Sequence, residues 1–211
     1  GVPIGVVLGA QGARYFRAIV DGEEGHAGTL PMELRKDALL GAARMIDALN
    51  AVAFRHEPHP VITVGQIHVR PNSRNTIPGQ VVFSIDSRHP DNRTLAAVER
   101  DMRAACEEVA RAAGLGVVIE EVNKRESIAF DRECVRTVAR AADALDLPWQ
   151  EIYSGAGHDA CNLSLVAPTG MIFVPCDGGI SHNELENARP EHVAAGCDVL
   201  LHAIVERAEL A

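Results

Sequence analysis

Five short stretches of this chain gather residue types that hold charge or move protons: DGEEGHAGTLPM (21–32), PNSRNTIPG (71–79), SIDSRHPD (84–91), GAGHDACN (155–162) and DGGISHNELEN (177–187). In the first, His26 lies between Gly25 and Gly28, just ahead of Pro31, where the backbone is about to turn. In the third, alternation along a strand puts Val81, Phe83 and Ile85 on one face and Ser84, Asp86 and Arg88 on the other. Arg88 there is either part of a solvated sheet face or a two-pronged clamp for a carboxylate, and residue type leaves both open. Asn75 sits in a turn-rich loop, where an Asn bonds its own backbone or offers its amide to a ligand.

The two later stretches follow strands. In GAGHDACN, Gly155 and Gly157 free backbone N–H groups near a helix start, and His158–Asp159 supplies an acid/base pair, unless Asp159 is simply the helix cap. In DGGISHNELEN, Gly178 and Gly179 turn the chain after an apolar strand and leave His182 at the mouth of the sheet's C-terminal edge, where ligand sites form. One imidazole cannot hold a metal, and no second donor stands at metal-ligand spacing from it in the sequence.

The elements that must carry these residues follow from periodicity. Phe16, Ala18 and Val20 alternate with Tyr15, Arg17 and Ile19 as a strand, and Pro31 is expected to start a helix running through about residue 53, with Ala38, Ala42, Met45, Ile46, Leu49 and Val52 inward. Residues 61–69 and 79–89 read as strands, Leu95, Val98, Met102, Ala105, Val109 and Ala112 as the face of a second helix, and 115–122 as a fourth strand. The order β-α-β-β-α-β predicts a ferredoxin-like unit, with two helices on one face of an antiparallel sheet, over about residues 11–125. From 126 the rhythm is α/β: a helix at CVRTVARAADALD, a strand at PWQEIYSG, a short helix at HDACNLSLVA, a buried strand at TGMIFVP, and a last helix ending at Leu210 with Val193, Cys197, Leu200, Leu201 and Ile204 inward. Two clear strands in about 85 residues are too few for a whole layered α/β domain, so the sheet is expected to continue in sequence before Gly1. The start Gly1-Val2-Pro3-Ile4, without Met or a signal-like segment, fits a piece of a longer protein.

A net charge of −9 over 211 residues disfavours a nucleic-acid or anionic-membrane surface, and no apolar run approaches the ~18 residues that cross a bilayer. Small molecules and protein partners are favoured instead. The five cysteines (Cys106, Cys134, Cys161, Cys176 and Cys197) are scattered and odd in number, as expected for small core residues in a reducing, cytoplasmic compartment.

In order and spacing, GEEGHAGTLPMELRKDAL, PNSRNTIPG, FSIDSRHPD, SGAGHDA and MIFVPCDGGISHNELE resemble the hydantoinase/carbamoylase amidases, a family of N-carbamoyl-L-amino-acid hydrolases, ureidopropionases and allantoate amidohydrolases within the larger group of dinuclear metal peptidases. The resemblance spans essentially the whole chain. It implies a βαββαβ lid at 11–125 that dimerises, joined to an end segment of the catalytic domain at 1–10 and its C-terminal part at 126–211, with the N-terminal catalytic part absent. It also implies a cofactor of two divalent metal ions (Zn, Mn, Co or Ni), with His182 as the metal ligand, Glu186 in the trailing acidic position, and Glu184 where the family usually has Pro. The other ligands and the general-base glutamate would belong to the absent part. By the same resemblance Asn75 and Arg88 hold the substrate's amide and carboxylate, and Gly155, Gly157 and His158 line its pocket. The resemblance also implies that His26 stabilises the oxyanion in the partner subunit's site. The substrate class implied is a carbamoyl amino acid, with allantoate as the near alternative. Another reading makes this polypeptide a non-catalytic dimerisation and substrate-binding fragment.

Overall fold

An apolar run, IGVVLGA, makes the first strand, β1 (Ile4–Ala10), with all but one of its residues buried. The computed structural model describes residues 1–209, and the chain divides into two compact units: Gly12–Ser127, and Gly1–Gln11 together with the chain from Ile128 on.

The first of these units is built on β2 (Gly12–Asp21), whose even-numbered apolar residues Phe16, Ala18 and Val20 are buried. The two-residue strand β3 (Gly25–His26) follows. Pro31 does not open the long helix as expected. It leads only into a 3-10 turn (Met32–Leu34), and α1 (Ala38–Ala53) begins after Asp37, whose carboxylate accepts the Leu39 and Leu40 N–H groups. A short acceptor at the cap satisfies N–H groups that Pro31 has no side chain to serve. The expected single strand at 61–69 is two, β4 (Val61–Thr63) and β5 (Ile67–Arg70), both antiparallel to β7 (Gln80–His89). The break lies at Gln66, whose N–H bonds the Ser84 hydroxyl and whose carbonyl accepts the Ser84 N–H, so a side chain replaces one rung of the ladder. Between them β6 (Thr76–Ile77) pairs with β3. Helix α2 (Asn92–Ala113), capped by Asp91 and ended by Gly114 in the left-handed region (φ 65°), leads into β8 (Gly116–Arg125).

Strand order is β4–β7–β2–β8, with β5 also on β7 and every pair antiparallel. The core lies where α1 and α2 pack on the face that presents Phe16, Ala18, Val20, Val81, Phe83 and Ile85. Met45, Leu49, Val98 and Met102 fill it from the helices, and truncating one such buried residue to Ala costs about 2–5 kcal/mol.

In the other unit β1 is central. It runs parallel to β10 (Trp149–Ser154) and antiparallel to β11 (Met171–Phe173) and to β9 (Ile128–Ala129). Helices α3 (Arg132–Ala144), α4 (Asp159–Leu163) and α5 (Pro190–Glu209) complete it, and Ile4, Val6, Val138, Ala141, Ala142, Val199 and Ala203 form its core. Two expectations change here. Strand β11 is half-buried, with no fully buried residue. On α5 the buried residues are Val199 and Ala203, while Val193, Leu200, Leu201 and Ile204 are 45–59% exposed and Cys197 is also exposed. Small residues let α5 sit close to its neighbours, as at Gly196, where a Cβ would come within 2.6 Å of Val174, and the larger residues are left on an open face. Leu210 lies outside the described residues. Nor are the cysteines uniformly core residues: only Cys106 and Cys161 are buried.

Candidate functional site

His26 stands on β3, in register with Thr76 of β6. The pairing puts it beside Asn75, whose carbonyl accepts the Ala27 N–H at 3.0 Å. The turn that follows is tight. The N–H groups of Thr29 and Leu30 both bond the His26 carbonyl, and the Arg35 guanidinium donates to Ala27 O (2.7 Å) and to Leu30 O (2.9 and 3.0 Å). A Cβ on Gly25 would meet Leu30 Cδ2 at 2.9 Å, a contact the leucine side chain can relieve by moving. The imidazole itself is exposed, and its Nδ1 accepts the Gly28 N–H at 3.0 Å. A ring that accepts at Nδ1 carries its proton on Nε2, so His26 presents an N–H donor outward. Asn75 Oδ1 accepts from Ser73 Oγ at 2.7 Å, which leaves its NH2 group as the end without a bond among the described residues.

Arg88 lies elsewhere on this unit. His26 and Asn75 belong to the turn that leaves the sheet beside Gln80, whereas Arg88 is eight residues further along β7, roughly 27 Å at ~3.4 Å per residue. It does share the open face of the sheet with Ser84 and Asp86, all half-buried, as alternation predicts. Asp86 takes up much of its fork: Arg88 Nε donates to both carboxylate oxygens (3.0 and 3.2 Å) and Nη2 to one (2.6 Å). This bonding raises the guanidinium's pKa above its ordinary value against the opposing effect of burial, so it stays charged. The Tyr15 ring lies 6.0 Å beneath it.

In the other unit, GAGHDACN runs from the end of β10 into α4. His158, not Asp159, is the capping residue, its side chain makes no capping bond, and Asp159 is the first helical residue. The ring is fixed instead by Ser154, a buried serine whose Oγ lies 2.7 Å from His158 Nε2, and by Phe173, edge-on at 5.6 Å between centroids. Gly155 has open space where a Cβ would stand, and Gly157 is exposed beside it.

His182 is exposed and takes a left-handed backbone (φ 56°), with its N–H donating to Glu186 at 2.9 Å. The base of its loop is stapled: Cys176 bridges Ala188, and Asp177 accepts from Asn187 Nδ2 and Arg189 Nε, each at 2.9 Å. These bonds, Asn187 first, hold the Asp177 carboxyl below its usual pKa. No group of three His, Cys, Asp or Glu among the described residues could hold a metal ion. His182 offers one donor, so these residues do not by themselves make a two-metal site. Arg35, Ser154 and the Asp177 staple escaped sequence reading, since their partners are carbonyls and side chains that only the folded chain brings near. Ser154 alone carried a signal, as the last residue of the strand before GAGH.

Two helices on one face of an antiparallel sheet, with the other face left open, make the unit at Gly12–Ser127 a two-layer α/β domain. Residues 8–113 match the peptidase dimerisation domain family, and the chain belongs to that family. Over 207 residues it is 42% identical to N-carbamoyl-L-amino-acid amidohydrolase of Rhizobium meliloti, a match that covers 98% of this chain and 50% of the relative. It is 35% identical to allantoate amidohydrolase of Escherichia coli K12, covering 95% and 49%. Among solved structures, an amidase of the hydantoinase/carbamoylase family from Burkholderia multivorans superimposes with a TM-score of 0.93 at 48% identity, over 98% of this chain and 50% of that one. The family expected from the five motifs is the one these comparisons return, and the chain spans about half the length of the relatives it matches.

Proposed function

We propose that this chain forms the lid and the C-terminal part of the catalytic domain of a metal-dependent amidohydrolase that cleaves the ureido C–N bond of N-carbamoyl-L-amino acids, releasing amino acid, CO2 and ammonia. The strand order of the unit at Gly12–Ser127 supports a ferredoxin-like lid. Allantoate is the second substrate reading, since relatives of both names match at similar coverage. His182 is the chain's own candidate metal donor, with Gly155, Gly157 and the Ser154-braced His158 as pocket lining. Zn, Mn, Co and Ni all suit an imidazole and carboxylate site, and its remaining donors would lie on polypeptide beyond these 211 residues.

The observation that carries the reading is the fixed tautomer of His26. Hydrolysis of a ureido carbon gathers negative charge on oxygen, and a positioned N–H donor stabilises it, with loss of such a donor typically raising the barrier by ~3 kcal/mol. The Nε2–H of His26 is such a donor, held by Gly28 on one side and by the Arg35-braced turn on the other. Arg88 anchors the substrate's carboxylate. Because His26 and Asn75 lie together and Arg88 lies a strand's length away, one lid cannot bring both ends to one small molecule. Two subunits can, with His26 and Asn75 of one serving the site that Arg88 of the other anchors.

The full polypeptide that carries this chain is expected to release ammonia from N-carbamoyl-L-amino acids, faster than from allantoate, and only with divalent metal. No release from any ureido acid would overturn the assignment. His26→Ala should lower kcat about 100-fold or more, while Arg88→Ala mainly raises KM. A mixed dimer of the two variants has one intact site if His26 acts across the interface, and should recover about half of the wild-type activity. If, with substrate well below KM, it is no more active than its parents, the two residues act within one subunit.

A further inference from the structure

The end row of the open sheet face holds a second arginine. Ala13 of β2 opposes Arg88 of β7 on one side and Arg125 of β8 on the other, and residues directly opposed across antiparallel strands project to the same face. A bulge opposite Tyr15 and Phe16 resets the alternation of β8. Past it, Lys124 shares the helix side with Arg14, where both bond Glu126, and Arg125 falls on the open side with Arg88. Strands lie ~4.8 Å apart, so the two arginine Cα atoms are about 10 Å from one another, with the small, fully buried Ala13 between them.

The two guanidinium groups differ in what they hold. Arg88 is bonded to Asp86 through Nε and Nη2. Arg125 forms no ion pair among the described residues, and its Nε and Nη2 are shielded from water without a hydrogen-bond partner. Two shielded, idle guanidinium nitrogens on a half-buried side chain are unfavourable, which gives Arg125 a drive to turn toward an anion that arrives between it and Arg88.

We propose that Arg125 is a second carboxylate-binding residue, so that the substrate's free carboxylate is held between Arg88 and Arg125 above Ala13 and analogues with an amidated or esterified acid are rejected. This rests on the ureido-acid reading and extends its carboxylate subsite. Ala13, the small residue between the two arginines, is covered in the unliganded chain, so the side chains over it must part to admit the ligand, and Asp86 is the positioning residue that keeps Arg88 in line.

The test uses the 211-residue chain and follows arginine 15Nε resonances by NMR during titration with N-carbamoylglycine, N-acetylglycine and N-acetylglycinamide. Both acids should move the Arg125 Nε signal and the amide should not. Arg125→Gln should weaken binding of the acids about 10- to 100-fold, and Arg125→Lys, which keeps the charge and loses the fork, should fall between. Removing an unpaired, desolvated charge should also raise the Tm of the unliganded Gln variant, which removal of a structural ion pair would not do. An Arg125 signal that stays still while that of Arg88 moves, an Arg125→Gln variant that binds the acids as the wild type does, or a fall in its Tm would overturn the proposal. If N-acetylglycine binds through Arg125 as tightly as N-carbamoylglycine and the full polypeptide hydrolyses no ureido acid, the two-arginine subsite stands and the ureido reading falls.

Discussion

The turn that presents His26 depends on one side chain, and replacing Arg35 by Met should release it. Arg35 donates three hydrogen bonds to two carbonyls, Ala27 O and Leu30 O, from a half-buried position. A hydrogen bond from a charged group contributes about 1.5–3 kcal/mol when well formed; sharing of acceptors and partial exposure reduce the sum here, so a total of roughly 2 kcal/mol is reasonable. Methionine keeps much of the apolar stem, so the loss falls on the turn. At 1.4 kcal/mol per factor of ten, the open form of the turn should become about 30-fold more populated. The assay is amide hydrogen exchange on the 211-residue chain. The N–H groups of Ala27, Thr29 and Leu30, bonded to Asn75 O and His26 O, should exchange about 30-fold faster in Arg35→Met. Amides in the middle of β2 and β7 should be unchanged. Equal exchange in variant and wild type at these three amides would refute the idea that Arg35 holds the turn. A uniform acceleration across β2 and β7 would show instead that Arg35 supports the whole unit.

Thiol labelling should follow burial and charge. Cys197 is exposed and should be alkylated first, whereas Cys106, pushed up to about 11 by burial and by nearby Glu107, should react only on unfolding. The loop that carries His182 should loosen in acid. The Asp177 carboxyl is depressed by Asn187 and Arg189, so its contribution is present above the unfolded carboxylate range and is lost as pH falls through the lower folded value. Protection of the Asp177 N–H bonded to Asn187 O should therefore begin to fall only below about pH 4 and be lost through the lower folded value, and Asp177→Asn should remove this pH dependence. A pH-independent loop in the wild type would contradict the staple. Gly22→Ala should destabilise the chain by at least about 2 kcal/mol in denaturant melts, because the new Cβ would fall 2.1 Å from the Lys36 carbonyl, a backbone atom that cannot step aside.

Much of the architecture was legible because it rests on local rules. Alternation at Phe16, Ala18 and Val20 and helical spacing at Met45, Leu49, Val98 and Met102 name the core side of each element without reference to any other, and the structure buries those residues together. The motifs around His26, Asn75, Arg88 and His182 likewise identified the family, because residue types at fixed spacing survive in the sequence whatever lies between them. The α5 face was misread for a complementary reason. Hydropathy says that Leu200, Leu201 and Ile204 favour burial, but whether they are buried depends on which elements stand opposite, and in this chain Val199 and Ala203 occupy the contact.

Sequence by itself thus determined which residues are polar, small or periodic, and through them the core side of most elements and the family. Only tertiary structure decided which groups meet. The joining of His26 to Asn75 through β3 and β6, the distance that separates them from Arg88, and the idle guanidinium of Arg125 opposite Ala13 all arise from strand register. Register is set by long-range pairing: a bulge or a one-residue slip sends a side chain to the other face of the sheet, and no local signal in the sequence records it.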